Sequence, residues 1–197
     1  MSTSLRFTID DLEVLPEDGK RYEIIDGELY VSSQPDFIHQ QVSSDFWLLL
    51  QNWSDAHNTG EACVAPGVIF ADDDAVAPDV IWMSWRRLTE ARRPGDGHIH
   101  APPELVVEVL SPGSANERRD RVAKLKLYSR RGVGEYWIAD WRLQTIEVYR
   151  KVGEALTLHA TLGGEDPLES PLLPNFKHPV AFVFRTLRRH APRLADG

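Results

Sequence analysis

Pro103-Glu104-Leu105-Val106-Val107-Glu108-Val109-Leu110-Ser111-Pro112-Gly113-Ser114 is an apolar strand with a carboxylate inside it, closed by a turn. Side chains alternate along a strand, so Glu104, Val106, Glu108 and Leu110 share one face. An unpaired buried carboxylate costs roughly several kcal/mol and normally protonates or takes a partner. Glu108 therefore needs a cation beside it, a metal ion or a basic side chain. The segment that follows reads as a helix from about Asn116 to Arg131, with Gly132 as its stop. Asp120, Lys124 and Tyr128 recur at i, i+4 and i+8 and so line one face of it. The turn after Leu110 is short, so this helix packs near Glu108, with Lys124 as the candidate partner and Tyr128 against the sheet.

Outward from this unit, residues 21–31, RYEIIDGELYV, predict a hairpin around Asp26-Gly27. Asp36 is a candidate N-cap for a helix running to about Ala56, with Ile38, Val42, Phe46, Leu49, Leu50 and Trp53 at helical spacing. Strands are predicted over Ala62–Phe70, Asp79–Ser84 and Glu104–Leu110, with Trp85–Ala101 as a connection containing at most one helical turn. Glu135–Asp140, Thr145–Lys151 and Ala155–Ala160 read as further strands, 163–174 as a loop, and 176–187 as a final apolar element. Strands interleaved with helices give an α/β (α+β) class: a mixed β-sheet flanked by helices, core order αβββαβ, after an N-terminal β-hairpin. With 197 residues and no visible linker, residues 1–197 are expected to form a single domain, its core at about 22–150.

The chain carries a net charge of −8, which disfavours indiscriminate binding to phosphate backbones. Between Arg118 and Arg131, however, seven bases face the single acid Asp120, a net +6 in 14 residues. Such a segment is either a phosphate-binding face, with Arg118, Arg119 and Arg121 as its candidates, or a solvated helix surface. The lone Cys63 excludes an intramolecular disulfide and fits a reducing compartment. No stretch is apolar enough for a membrane span and the start lacks a signal-peptide pattern, so a cytoplasmic location is expected.

Pro78-Asp79-Val80-Ile81-Trp82 places a second acid at the mouth of an apolar strand. Carboxylates on adjacent strands can hold Mg²⁺ or Mn²⁺, hard cations that take oxygen ligands. A lysine beside them could orient a water or meet charge growing on a phosphoryl oxygen. The alternative is a Glu108–Lys124 buried ion pair without metal or chemistry.

Together these residues resemble the PD-(D/E)XK nuclease superfamily, and within it the Uma-type branch described as restriction endonucleases. The resemblance rests on YEIIDGELYV at 22–31, His39, PDVIW at 78–82, PELVVEVLSPGS at 103–114, D-x3-K-x3-Y at 120–128 and GVGEYWIAD at 132–140. It implies a restriction-endonuclease-like fold and divalent-metal nuclease chemistry. Asp79 matches the acid of the PD element and Glu108 that of the (D/E)XK element, with the Val109 backbone carbonyl as a further metal ligand. Leu110 stands where the superfamily lysine belongs, which points to Lys124 as its displaced counterpart. Glu23 is either a further carboxylate of the site or a solvent-facing hairpin acid. His39 either contacts phosphate or water there, or packs.

No P-loop, G-x-G-x-x-G or G-x-S-x-G pattern is present. His98 and His100 lack a third ligand and read as loop, and Trp85 with Arg86, Arg87, Arg92 and Arg93 is the one other aromatic-basic cluster. The expectation is a metal-dependent endonuclease acting on DNA, compatible with a homodimer because cutting both strands is simplest with two active sites. The rival is an inactive nuclease-fold protein serving as a nucleic-acid-binding or protein-interaction module.

Overall fold

The computed structural model describes residues 5–190 of the chain. In order, it forms α1 (Ile9–Glu13), the hairpin β1 (Arg21–Ile25) and β2 (Glu28–Ser32), the long helix α2 (Phe37–His57), then β3 (Gly60–Val64), β4 (Val68–Ala71), β5 (Asp74–Val76) and β6 (Val80–Ser84). Next come α3 (Trp85–Ala91), β7 (Arg92–Arg93), β8 (Asp96–Ile99) and β9 (Leu105–Val109). Helix α4 (Ser114–Arg118), a π-helical segment (Arg119–Lys124) and α5 (Leu125–Arg131) run on as one helix. After it follow β10 (Glu135–Asp140), β11 (Thr145–Val152), β12 (Ala155–Gly163), β13 (Pro167–Glu169), β14 (Lys177–Pro179), α6 (Val180–Val183) and α7 (Arg185–His190).

The expected mixed sheet is present, in the order β12-β11-β10-β9-β6-β3. Strands β9 and β10 are parallel, because the 114–131 helix carries the chain across between them, and the other pairs are antiparallel. The central strands are buried on both faces, which is why β9 and β10 read as nearly continuous apolar runs. Val80, Trp82, Leu105, Val107, Val109, Trp137 and Ala139 meet Val42, Phe46, Leu50 and Trp53 of α2 on one face. The alternate residues Ile81, Met83, Val106, Leu110, Tyr136 and Ile138 meet Leu127 and Tyr128 on the other. Alternation assigns Glu108 to this second face, the face covered by the helix that carries Lys124.

The Asp26-Gly27 hairpin forms as expected, with both residues at positive φ, 56° and 72°. Asp36 caps α2 by accepting from the His39 N–H at 2.8 Å, and Gly132 closes the 114–131 helix at φ 82°. The predicted strand over 62–70 is instead two strands in different sheets. Ala65 turns at φ 47° ahead of Pro66-Gly67, β3 pairs with β6, and β4 joins a second six-stranded sheet, β2-β1-β5-β4-β8-β7. This second sheet, unanticipated in the sequence, takes in residues 74–76 as β5 and part of the supposed Trp85–Ala101 connection as the β7–β8 hairpin. His98, expected in a loop, lies within β8, and His100 follows just after it; both lie against Asp96, at 2.7 and 2.5 Å. The 163–174 stretch also contributes a short strand, paired β13 to β14. Among the described residues no helix is long and apolar enough to cross a membrane.

Candidate active site

Four elements converge on the candidate site. Strand β1 presents Arg21 and Glu23, two residues apart and therefore on one face. Asp79 enters just before β6, and Glu108 from β9. The helix above contributes Asp120 and Lys124 from its π segment and Tyr128 one turn on. Glu23, Asp79, Glu108 and Asp120 are each 4% exposed or less, and Lys124 is fully buried.

The Lys124 ammonium lies 2.9 Å from Glu23 Oε1 and 2.9 Å from Glu108 Oε1, and 3.9 Å from Asp120 Oδ1. The Tyr128 hydroxyl donates to the same Glu108 oxygen at 2.8 Å. Glu23 Oε1 also accepts from the Ala77 N–H at 2.9 Å, whereas its Oε2 has no hydrogen-bond partner and sits 3.8 Å from Arg119 Nε. Asp79 is held separately: Oδ2 accepts from the Val109 N–H at 2.9 Å and lies 3.1 Å from His39 Nε2, and Oδ1 lies 3.1 Å from Arg21 Nη1. With a carboxylate facing Nε2, the His39 proton belongs on that nitrogen, and its Nδ1 is buried without a partner. Asp120 pairs with Arg119 Nε at 2.9 Å, and its carbonyl accepts from the Tyr136 hydroxyl at 3.0 Å.

Four buried carboxylates thus share three permanent cations, Lys124, Arg21 and Arg119. Burial pushes Glu108 up to about 8; Lys124 opposes this, while Asp79, Asp120 and Glu23 reinforce it. Burial raises Asp120 too, against the pull of Lys124 and Arg119. For Asp79 burial works the same way, but the hydrogen bond and charge of His39, with Arg21 and Lys124, hold it well below the usual carboxylate range. Glu23 is also lowered, Lys124 and Arg119 outweighing burial. Lys124 holds its proton more firmly than a free lysine, because Glu108, Glu23 and Asp120 outweigh its desolvation. The cluster is short of positive charge, and the shortage falls on Glu108.

The structure therefore brings together Asp79, Glu108, Lys124, Glu23 and His39. Glu23 faces the cluster and not solvent. Arg119, expected on a phosphate-binding surface, turns inward to Asp120 and Glu23, because the π turn sets it beside them. Arg121 is tied to Glu147 across the sheet, Arg130 and Arg131 clamp the buried Asp74, and Arg118 is exposed. Arg87 is likewise committed, to Glu104 and the Pro102 carbonyl, and Arg86 pairs with Glu90, so the Trp85 cluster is partly neutralised. Sequence reading missed Arg21 as an Asp79 partner, although its i, i+2 spacing from Glu23 on one strand was a usable signal. It also left Asp120 as a face-sharing residue only. A cavity of about 150 Å³ opens onto Asp79, His39, Arg21 and Arg119 past Ser111 and Asn116.

A sequence profile described as Uma2, "Putative restriction endonuclease", matches residues 9–181. The chain belongs to this family. Among solved structures, the Uma2 chain superposes on a protein from Anabaena variabilis described as "a putative nuclease belonging to DUF820", with a TM-score of 0.73 over 92% of this chain and 99% of that one. Identity between the two is 19%, so the likeness concerns the fold. No curated protein matches this Uma2 chain significantly.

Proposed function

We propose that this Uma2 chain is a divalent-metal-dependent endonuclease that hydrolyses DNA phosphodiester bonds in the cytoplasm. The observation that carries this reading is the buried cluster in which the strand carboxylates Asp79 and Glu108 meet Lys124 and leave Glu108 short of a cation. Family membership supports the nuclease class.

The donor set fits Mg²⁺ or Mn²⁺: carboxylate oxygens in a cluster with surplus negative charge. Asp79 and Glu108 would hold the ion, with the Val109 carbonyl on the edge where the Val109 N–H already meets Asp79. When bound, the ion would supply Lewis-acid stabilisation of charge on the phosphoryl group. Lys124 fixes Glu108 and offers an ammonium toward a reacting phosphate or its attacking water, in place of Leu110, which cannot. Glu23 holds Lys124 from the opposite side, and His39 orients Asp79. Arg21 and Arg119 line the cavity through which a phosphate would approach, and Arg118 is available for the DNA backbone outside. Arg121 would have to leave Glu147 to contribute. Two copies acting as a homodimer would cut both strands.

One observation favours a non-catalytic nucleic-acid-binding or protein-interaction module. Lys124 already pairs with both Glu23 and Glu108 in place, and among the described residues no three His, Cys, Asp or Glu side chains are arranged to hold a metal ion. Calorimetric titration with Mn²⁺ separates the readings. The nuclease reading requires binding that Glu108→Gln weakens by about tenfold or more, because a neutral amide is a poorer ligand for a hard cation. Absence of binding favours the module.

A further inference from the structure

A second, larger cavity of about 600 Å³ lies beside the candidate active site, between the β1–β2 hairpin and the 114–131 helix. Its helix wall includes Arg118, Val122, Lys126 and Arg130, three cations and one apolar side chain at four-residue intervals. Tyr30 stands on the hairpin wall, its hydroxyl held by Glu28 at 3.0 Å. Val122 is 45% exposed among these cations, an apolar surface in the cavity that Tyr30 also lines. Arg130 is engaged with Asp74 and Asp26, whereas Arg118 and Lys126 are exposed and carry no ion pair among the described residues. Arg119 lines both this cavity and the smaller one that reaches Asp79.

We infer that this cavity is a binding subsite for an unpaired nucleotide next to the scissile phosphate, and that the substrate is presented as a single strand or an unpaired segment. The inference rests on the nuclease reading for the word scissile, but not for the binding. The depth of the active centre argues for it. Asp79, Glu108 and Lys124 are nearly inaccessible, and the opening toward Asp79 has room for a phosphate group but not for a stacked base pair. A phosphate on the rail of a regular duplex is held there by its stacked neighbours. An unpaired strand can fold its phosphate inward past Arg119 while the adjoining base occupies the larger cavity. Binding sites for nucleotide-sized ligands are commonly about 300–1,000 Å³, apolar with a few polar groups, and base–aromatic contact is indifferent to sequence. The lining matches that chemistry: Tyr30 and Val122 for the base, Arg118 and Lys126 for the flanking phosphates.

The test is anisotropy of a labelled short oligothymidylate, with the full chain in EDTA so that cleavage plays no part, against the same strand annealed to its complement. The single strand is expected to bind at least about tenfold more tightly than the duplex. Tyr30→Ala should weaken it about tenfold, Tyr30→Phe should restore it, and Val122→Trp, which fills the cavity, should abolish the preference. Thermal melting of each variant confirms that it is folded. Equal affinity for single strand and duplex, or indifference to Tyr30→Ala in the folded protein, overturns the inference. Parallel assays with Mn²⁺ keep the two readings apart. Tyr30-dependent binding without cleavage sinks the nuclease reading and leaves the subsite standing, whereas duplex cleavage unaffected by Tyr30→Ala does the reverse.

Discussion

Replacing Lys124 by methionine keeps most of the length of the side chain and removes the ammonium, both its charge and its hydrogen-bond donors. In the structure that charge is shared by Glu23 and Glu108 at 2.9 Å each, with all three groups buried. Removing one partner of a buried pair costs about 3–5 kcal/mol, because the other charge is left without compensation. Here Glu23 loses its cation and Glu108 loses a hydrogen-bond donor, so Lys124→Met should fall in that range near pH 7. For a chain of this size that is a drop of roughly 6–20 °C in melting temperature. The loss should depend on pH with a definite sign. Without Lys124, the burial that already raises Glu108 loses its main opponent and Glu23 loses the largest of the charges that hold it down, so the folded variant binds more protons than the unfolded chain at Glu108. Stability of the variant should then rise as pH falls toward 4.5, and its deficit should shrink by about 1 kcal/mol or more between about pH 7 and 5. Adding Glu108→Gln should recover about 1–3 kcal/mol, a coupling expected of groups in direct contact. Urea unfolding followed by circular dichroism, repeated at both pH values, measures all of these. A deficit under about 1 kcal/mol, or one that does not change with pH, would show that the ammonium is not held in those buried pairs.

Three further outcomes follow from the same geometry. In the wild type Glu108 is pushed up to about 8, so its ionisation opposes folding and stability should decline as pH rises from about 4.5 to about 8, levelling off above that; Glu108→Gln should flatten that decline in a melting-temperature profile, and an unchanged decline would assign the proton elsewhere. Asp79 is held below its usual 3.8, so it contributes stability above about pH 4 that is lost on acidification. His39→Ala should remove about 1–3 kcal/mol of that contribution in urea unfolding, with no loss if the His39–Asp79 contact is absent. Gly60→Ala would put a Cβ 2.2 Å from the Met83 carbonyl and 2.7 Å from Trp82, so the β3–β6 pairing should lose about 1–3 kcal/mol or more, and a melting temperature equal to wild type would contradict that register.

Much of this molecule is written in local patterns. Alternation along β9 put Glu108 on the helix-covered face, i, i+4 spacing put Lys124 and Tyr128 against it, and Asp26-Gly27 and Asp36 marked a hairpin and a cap that form as read. What escaped was long-range. Nothing local in residues 62–70 shows that Val64 and Val68 belong to different sheets, although Pro66-Gly67 marks a break. The acidic 72–74 run looks like solvent-facing loop, yet Asp74 is buried because Arg130 and Arg131 reach it from 56 and 57 residues away. Charge content was similarly misleading along the 114–131 helix: a +6 segment looks like a phosphate surface until Glu23, Glu147 and Asp74 are brought to it by the second sheet and by β11. Arg119 illustrates the point, since only the π turn and the hairpin opposite it decide that it faces inward.

Cleavage itself tests the central claim most directly. Purified chain is incubated with plasmid and with single-stranded DNA in Mn²⁺ or Mg²⁺, beside Asp79→Asn, Glu108→Gln, Lys124→Ala and Lys151→Ala, a control at an exposed lysine outside both cavities, each checked for folding by circular dichroism. Metal-dependent cleavage is expected in wild type and in Lys151→Ala. EDTA should abolish it, and it should fall by about 10²-fold or more in each of the three site variants, as expected for loss of a group that stabilises transition-state charge. Cleavage that survives in folded Asp79→Asn, Glu108→Gln and Lys124→Ala would contradict the site assignment, and wild-type protein that cuts neither substrate with either metal would contradict the nuclease reading.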